Sequence, residues 1–152
     1  MHKQYKLTAD GIAELEQELK VLIANRSDIA ERIKSAREFG DLAENAEYSA
    51  ARQEQERAEA RIAEIDFILK NAETISQPKK KDVVELGNTV VLKNKDGERT
   101  FTIVGSVEAN PLEGKISDES PIGQALLGKK LGEAVEIKTP ASTTSYTIGS
   151  IQ

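Results

Sequence analysis

Apolar residues recur along the first half of the chain at alternating steps of three and four. The first row is Ile12, Leu15, Leu19, Leu22, Arg26, Ile29, Ile33 and Ala36, with Arg26 as its polar interruption. The second row is Tyr48, Ala51, Gln55, Ala58, Ile62, Ile65, Leu69 and Ala72. Alternating steps of this kind are the heptad signature of helices that pack side by side. The two rows mirror each other about position 42: Ile12 opposes Ala72, Leu15 opposes Leu69, and so on to Ala36 against Tyr48. The spacing therefore predicts one antiparallel helical hairpin. Two helices of roughly 30 residues would make a stalk about 45 Å long. Thr8 is placed to cap the first helix, with Asp10 in its first turn. Large side chains fill the basal layers and alanines the distal ones. The hairpin is therefore expected to narrow toward its tip and to bury little there.

The period changes after Gln77-Pro78-Lys79-Lys80-Lys81-Asp82, a stretch with the composition of a solvated linker. Thr89–Leu92 and Thr100–Val104 read as strands, with Asp96-Gly97 as a hairpin turn between them. Ser120 as cap, Pro121 at the first position and Gly128 as stop frame a short helix. Residues 134–138 and 145–148 read as two further strands. The fold class is α+β: an N-terminal antiparallel coiled-coil hairpin over 1–76 with its tip near 39–48, a linker at 77–82, and a small, mostly β domain over 83–152.

Composition narrows the chemistry. The chain has 152 residues with a net charge of −5, so it does not coat duplex DNA through phosphate contacts. Any nucleic-acid role is local or delegated to a partner. There is no cysteine, which excludes disulfides, thiol chemistry and a cysteine metal cage. The single histidine, His2, sits at the terminus and is given no role. The opening residues are followed by no apolar run of signal-peptide or membrane length, so a soluble, cytoplasmic protein is expected.

The chemistry-bearing stretch is Arg37-Glu38-Phe39-Gly40-Asp41-Leu42-Ala43-Glu44-Asn45-Ala46-Glu47-Tyr48, at the turn of the hairpin. Asp41 and Glu44 stand three apart. One reading is a capping box, with Asp41 at the N-cap and Glu44 at the third helical position. The other is a pair of hard oxygen donors for magnesium, which takes one or two carboxylates and fills its remaining positions with waters and phosphates. The two readings are compatible, because capping orients the carboxyls. Glu38 and Glu47 read as solvated charges. Arg37 and Arg52 either face solvent or pair with a phosphodiester chain that approaches the tip.

Gly40-Asp41-Leu42-Ala43-Glu44-Asn45-Ala46-Glu47-Tyr48 resembles the tip motif of the bacterial transcript-cleavage factors, the GreA/GreB family. Residues 116–129, from Ile116 through Ser117, Ser120, Pro121, Ile122 and Gly123 to Lys129, resemble the second signature of that family. The resemblance covers essentially the whole chain. Mixed charge along the coil fits the GreA branch rather than the GreB branch, and the apolar Leu42 and Ala43 fit a cleavage stimulator rather than an inhibitory relative.

The resemblance implies the following. The C-terminal domain is FKBP-like and docks on the rim of the secondary channel of bacterial RNA polymerase, through Ser117, Ser120, Pro121, Ile122 and Gly123. The coiled coil enters that channel. Asp41 and Glu44 help hold a magnesium shared with the polymerase active site. Arg37 and Arg52 contact the extruded 3′ end of backtracked RNA. The polymerase cleaves the transcript and arrested complexes restart, so the factor is not itself an enzyme. No membrane partner and no tightly bound cofactor are implied, and the protein is expected to be a monomer. The alternative within this architecture is a channel-binding regulator that does not stimulate cleavage. A prolyl isomerase with a helical handle is disfavoured, because the second half offers only Phe101 and Tyr146 as pocket aromatics.

Overall fold

The computed structural model describes residues 4–40, 45–76, 78, 81–138 and 140–152. The chain divides into two compact units. One spans Ile12–Asn71; the other takes in the chain up to Gly11 and from Ala72 onward.

The first unit is the helical hairpin. Helix α1 (Ala9–Ala24) is followed by α2 (Arg26–Arg37), and α3 (Ala46–Lys70) returns. The junction at Asn25 is a local irregularity rather than a break. The Asn25 amide still donates to the Val21 carbonyl at 3.0 Å, and Asn25 accepts from the Ile29 amide at 3.1 Å. The buried residues of the hairpin fall mainly on the predicted seams: Leu15, Ile29, Ile33, Ala36, Ala51, Ile62 and Ile65 are buried, while Ile12, Leu19 and Leu22 are half-buried.

Two expectations are corrected. At the base of α3 the buried residue is Ile68, while Leu69 is only half-buried and Ala72 has left the helix. A helix of 3.6 residues per turn drifts away from a strict heptad, so the inward face moves off the predicted row. The distal layers also bury more than expected. Ile29, Ile33 and Ala51 form one apolar cluster, flanked by Tyr48 and Ala58. Small residues at Ala51 and Ala58 let α2 lie closer to α3 than α1 does, and the two isoleucines are covered as a result. Crossing ion pairs lie along the hairpin, with Arg26 on Glu59 and Arg32 on Glu54 both at 2.8 Å and Arg61 on Glu18 at 2.7 Å.

The second unit is built on a five-stranded sheet, in the order β5-β4-β3-β7-β6. Its strands are β3 (Thr89–Asn94), β4 (Gly97–Val104), β5 (Lys115–Ser117), β6 (Ala134–Lys138) and β7 (Thr143–Ile151). All neighbours are antiparallel except β4 and β5, which are parallel. The β3–β4 turn consists of Lys95 and Asp96, with Gly97 (φ +139°) already paired to Asn94. In β7, Ile148 and Ser150 pair with adjacent residues Leu92 and Val91, which leaves Gly149 as a bulge. Helix α4 (Pro121–Leu126) lies against β5 and β6 and sends Leu126 into a core of Val90, Leu92, Ile103, Val135, Ile137 and Ile148. Asn88, fully buried, accepts from the Glu85 amide at 2.7 Å and donates to the Gln152 carbonyl at 3.1 Å.

The ends of the hairpin region do not belong to it. Strand β1 (Tyr5–Thr8) pairs in parallel with β2 (Ala72–Ile75), with Tyr5 opposite Ala72 and Thr8 opposite Ile75. Both sit in the sheet-containing unit. Thr8 closes β1 and caps α1, accepting from the Gly11 amide at 3.1 Å as the sequence predicts. Its own amide and hydroxyl donate to the Glu108 carboxylate at 2.8 and 2.6 Å. Of the predicted linker, Gln77, Lys79 and Lys80 lie outside the described residues, while the Asp82 carbonyl accepts from the Leu131 amide at 3.3 Å. Among the described residues no helix is long and apolar enough to cross a membrane.

Candidate functional site: the tip of the hairpin

Helix α2 ends at Arg37 and unwinds through single-turn bonds. The Glu38, Phe39 and Gly40 amides donate to the Ser35, Ala36 and Arg37 carbonyls at 3.2, 3.3 and 3.4 Å. Gly40 adopts φ +102°, a left-handed conformation in which a side chain would be strained, so glycine suits this exit from the helix. Asp41 and Glu44, the carboxylates of the tip motif, lie outside the described residues, as do Leu42 and Ala43. In the chain they connect α2 to α3.

The capping-box reading of Asp41 and Glu44 is corrected. Helix α3 begins at Ala46, and its N-cap is Asn45. The Asn45 Oδ1 accepts from the Tyr48 amide at 3.0 Å. The same side chain reaches across the turn: its Nδ2 donates to the Ala36 carbonyl at 2.6 Å. Asn45 thus satisfies an orphan amide of one helix and a terminal carbonyl of the other. The cap stands four residues after Asp41, the position that the acidic spacing predicts. The N-cap position of α3 is thus filled by Asn45 and not by Asp41.

Arg37 and Tyr48 are brought together, with the guanidinium carbon 5.9 Å from the ring centre. That distance is within the range of a cation–π contact. Arg52 donates from Nη1 to the Gln55 Oε1 at 2.9 Å, one turn along the exposed face. Neither arginine has a carboxylate partner among the described residues, unlike Arg26, Arg32 and Arg61 further down the hairpin. Among the described residues, then, no carboxylate neutralises either charge near the tip. Phe39 is exposed beside Arg37. No three His, Asp or Glu side chains among the described residues gather closely enough to hold a metal ion.

A hydrogen bond from Arg61 holds the Glu18 carboxyl below its ordinary 4.5, against a small opposing cost of burial. A hydrogen bond from Arg32 does the same for Glu54. The arginines in both pairs are correspondingly harder to deprotonate. These charges are committed to holding helices together.

In the sheet-containing unit, the second motif makes a tight strand-to-helix connection. Ser120 caps α4 by accepting from the Gly123 amide at 3.1 Å, and its hydroxyl donates to the Ser117 carbonyl at 2.7 Å. A Cβ at Gly123 would stand 2.0 Å from that same carbonyl, so only glycine permits this approach of helix to strand. Ser117, Ser120 and Gly123 thus shape the surface more than they present it. Ile122 packs on the core, while Pro121, Glu119 and Gln124 face outward. Tyr146 is itself a core residue and Phe101 packs against that core, so these two aromatics do not line a ligand pocket.

Comparison with known proteins matches both halves in order. Residues 5–74 match the family described as transcription elongation factor, N-terminal. Residues 78–152 match the family described as transcription elongation factor, GreA/GreB, C-term. The chain is 46% identical over 154 residues to transcription elongation factor GreA of Clostridium acetobutylicum, covering 99% of this chain and 98% of that one. It is 49% identical over 153 residues to the GreA of Listeria monocytogenes, with 98% and 96% covered. Among solved structures, GreA factor homolog 1 of Thermus thermophilus aligns over 99% of both chains at 30% identity and a TM-score of 0.46. With both of its halves matched in sequence and the tip motif set between two packed helices, this chain belongs to the GreA/GreB family of transcription elongation factors.

Proposed function

We propose that this chain rescues arrested transcription by entering the secondary channel of bacterial RNA polymerase with its helical hairpin and stimulating the polymerase's own cleavage of backtracked RNA. The reading rests on one observation above the others: a long helical stalk whose connection carries Asp41 and Glu44 in the chain, with the N-cap of α3 supplied by Asn45. Two carboxylates fit magnesium, which takes few protein ligands and completes its shell with waters and phosphate oxygens. Asp41 and Glu44 would hold the ion jointly with polymerase groups. When bound, magnesium supplies Lewis-acid stabilisation to the oxygens of a phosphodiester under hydrolysis.

The remaining roles belong to the chain's own residues. Arg37 and Arg52 offer positive charge to the phosphates of the extruded RNA 3′ end. The Tyr48 ring beneath Arg37 restrains that guanidinium without neutralising it. The connection formed by Ser117, Ser120, Pro121, Ile122 and Gly123 shapes the docking surface on the channel rim. The protein works as a monomer in the cytoplasm and is not a nuclease by itself, since two carboxylates make only part of a site.

The test is RNA release from a stalled, backtracked elongation complex. The native chain is expected to release short RNAs. Asp41→Asn and Glu44→Gln should dock equally well and lose stimulation by about 100-fold or more, with partial rescue at raised magnesium. Replacing Arg37 and Arg52 together with Ala should weaken crosslinking to the RNA 3′ end and spare docking. Normal docking by the native chain without RNA release would support instead a channel-binding regulator that does not stimulate cleavage.

A further inference from the structure

We infer that Glu108 is a positioning residue for the hairpin: its carboxylate grips the junction at which the chain passes from strand β1 into the first turn of α1. This role rests on the cleavage reading above and falls to a residue that the reading does not use.

The junction belongs to the sheet-containing unit, whose N-terminal part runs to Gly11. Glu108 is half-buried and lies 100 residues from Thr8 along the chain. Each of its oxygens takes one donor: Oε2 accepts from the Thr8 amide at 2.8 Å and Oε1 from the Thr8 hydroxyl at 2.6 Å. Charge-assisted bonds of this kind are roughly twice as strong as neutral ones. The Thr8 hydroxyl is used a second time, accepting from the Gly11 amide at 3.1 Å, so the carboxylate orients the cap of α1 through it. Gly11 is buried, and a Cβ there would overlap the Glu108 carboxyl. The negative charge also faces the N-terminal end of α1, where the helix dipole favours it. The segment that carries Glu108 is itself fixed. The Glu108 amide closes a tight turn on the Gly105 carbonyl at 3.0 Å, and Gly105 packs so closely on the Lys6 carbonyl of β1 that no Cβ fits between them. Helix α1 runs unbroken from Ala9 to Ala24, so freedom at its first turn is carried along its whole length, at about 1.5 Å per residue. A residue that removes this freedom bears on where the far end of the stalk is delivered, and a misplacement of about 1 Å can cost a reaction about 100-fold.

The test compares Glu108→Ala with Glu108→Gln in the full chain. Glutamine keeps the reach: its oxygen accepts from the Thr8 amide, and its NH2 donates to the Thr8 hydroxyl once that hydroxyl turns round. In Glu108→Ala, amide exchange at Thr8 and Gly11 should quicken about tenfold while the strands of the sheet keep their native protection. In the stalled-complex assay its half-saturating concentration should stay within about twofold of native, and its cleavage rate at saturating factor should fall roughly 10-fold. Glu108→Gln should recover most of both losses. Native cleavage at saturation by Glu108→Ala, with the native chain active, would overturn the positioning role and leave the cleavage reading standing. A rise in the half-saturating concentration alone would also overturn it, because Glu108 would then act on docking. Loss of protection throughout the sheet would make Glu108 an ordinary structural residue. Equal losses by Glu108→Ala and Glu108→Gln would exclude the hydrogen-bonded grip. No RNA release by the native chain would overturn the cleavage reading, and this role with it.

Discussion

The hairpin and the sheet-containing unit are held together by different means. In the sheet unit, strands from distant parts of the sequence enclose a contiguous core in which Val90, Leu92, Ile103 and Leu126 are covered on all sides. Its buried polar side chain, Asn88, has its bonds satisfied. In the hairpin, each buried residue is covered by one facing helix, and half-exposed ion pairs flank the seam. The contrast follows from geometry. Two helices share one stripe of contact, whereas a sheet with a helix on it encloses volume. A stalk gains reach at the expense of enclosure, so it depends more on termini, caps and charges.

The largest expected difference comes from the cores. Leu92→Ala, at a site with no exposure, should cost about 4 kcal/mol, toward the upper part of the range for buried leucine. Thermal unfolding followed by hydrogen exchange should show the loss in the sheet strands. A cost below about 1 kcal/mol would mean that the core collapses readily around the change.

Ile33→Ala removes comparable apolar volume from the hairpin, where Ala51 and Tyr48 form the wall. About 2 kcal/mol is expected, the low end of the same range, because one side of the site is open to relaxation. Hydrogen exchange should rise in α2 and the first half of α3 while the sheet stays protected. An effect equal to that of Leu92→Ala would erase the proposed distinction between the two units.

The smallest effect is electrostatic. Glu18→Gln breaks a pair whose side chains are 39% and 41% exposed, so solvent screening limits the loss to about 0.5 kcal/mol. Its pH dependence is more telling. The folded carboxyls of Glu18 and Glu54 sit below their ordinary 4.5, so their contribution is complete above that value. It is lost as the pH falls through the lower folded values. Acid should therefore loosen the hairpin before the sheet, and added salt at neutral pH should weaken the same pairs. Exchange profiles that change evenly across both units on acidification would contradict this.

Some of this architecture is written in local spacing. The heptads at Ile12 to Ala36 and Tyr48 to Ala72, the Thr8 cap, the strands flanking Lys95-Asp96-Gly97 and the Ser120-Pro121 start of α4 all depend on residues within a turn or a pair of strands. A reader of the sequence can therefore find them. The tip motif was legible for the same reason: it is contiguous.

Other features depend on what distant residues do. Nothing in Tyr5–Thr8 announces a parallel partner at Ala72–Ile75, because that pairing exists only after a hairpin of some sixty residues has brought the two segments together. Glu108 reads as an ordinary surface acid until Thr8 is found donating to it twice. The choice of Asn45 over Asp41 as the cap of α3 was likewise tertiary. Two acceptable capping types, Asp41 and Asn45, stand four residues apart, and local preference ranks Asp and Asn together. Only the packing of Tyr48 and Ala36 on the seam fixed where α3 starts, and it put the amide of Asn45 within reach of both helices. Sequence periodicity determined which faces meet. The close approach of α2 to α3 decided which residue joins them, because that hydrogen bond depends on a separation no local pattern encodes.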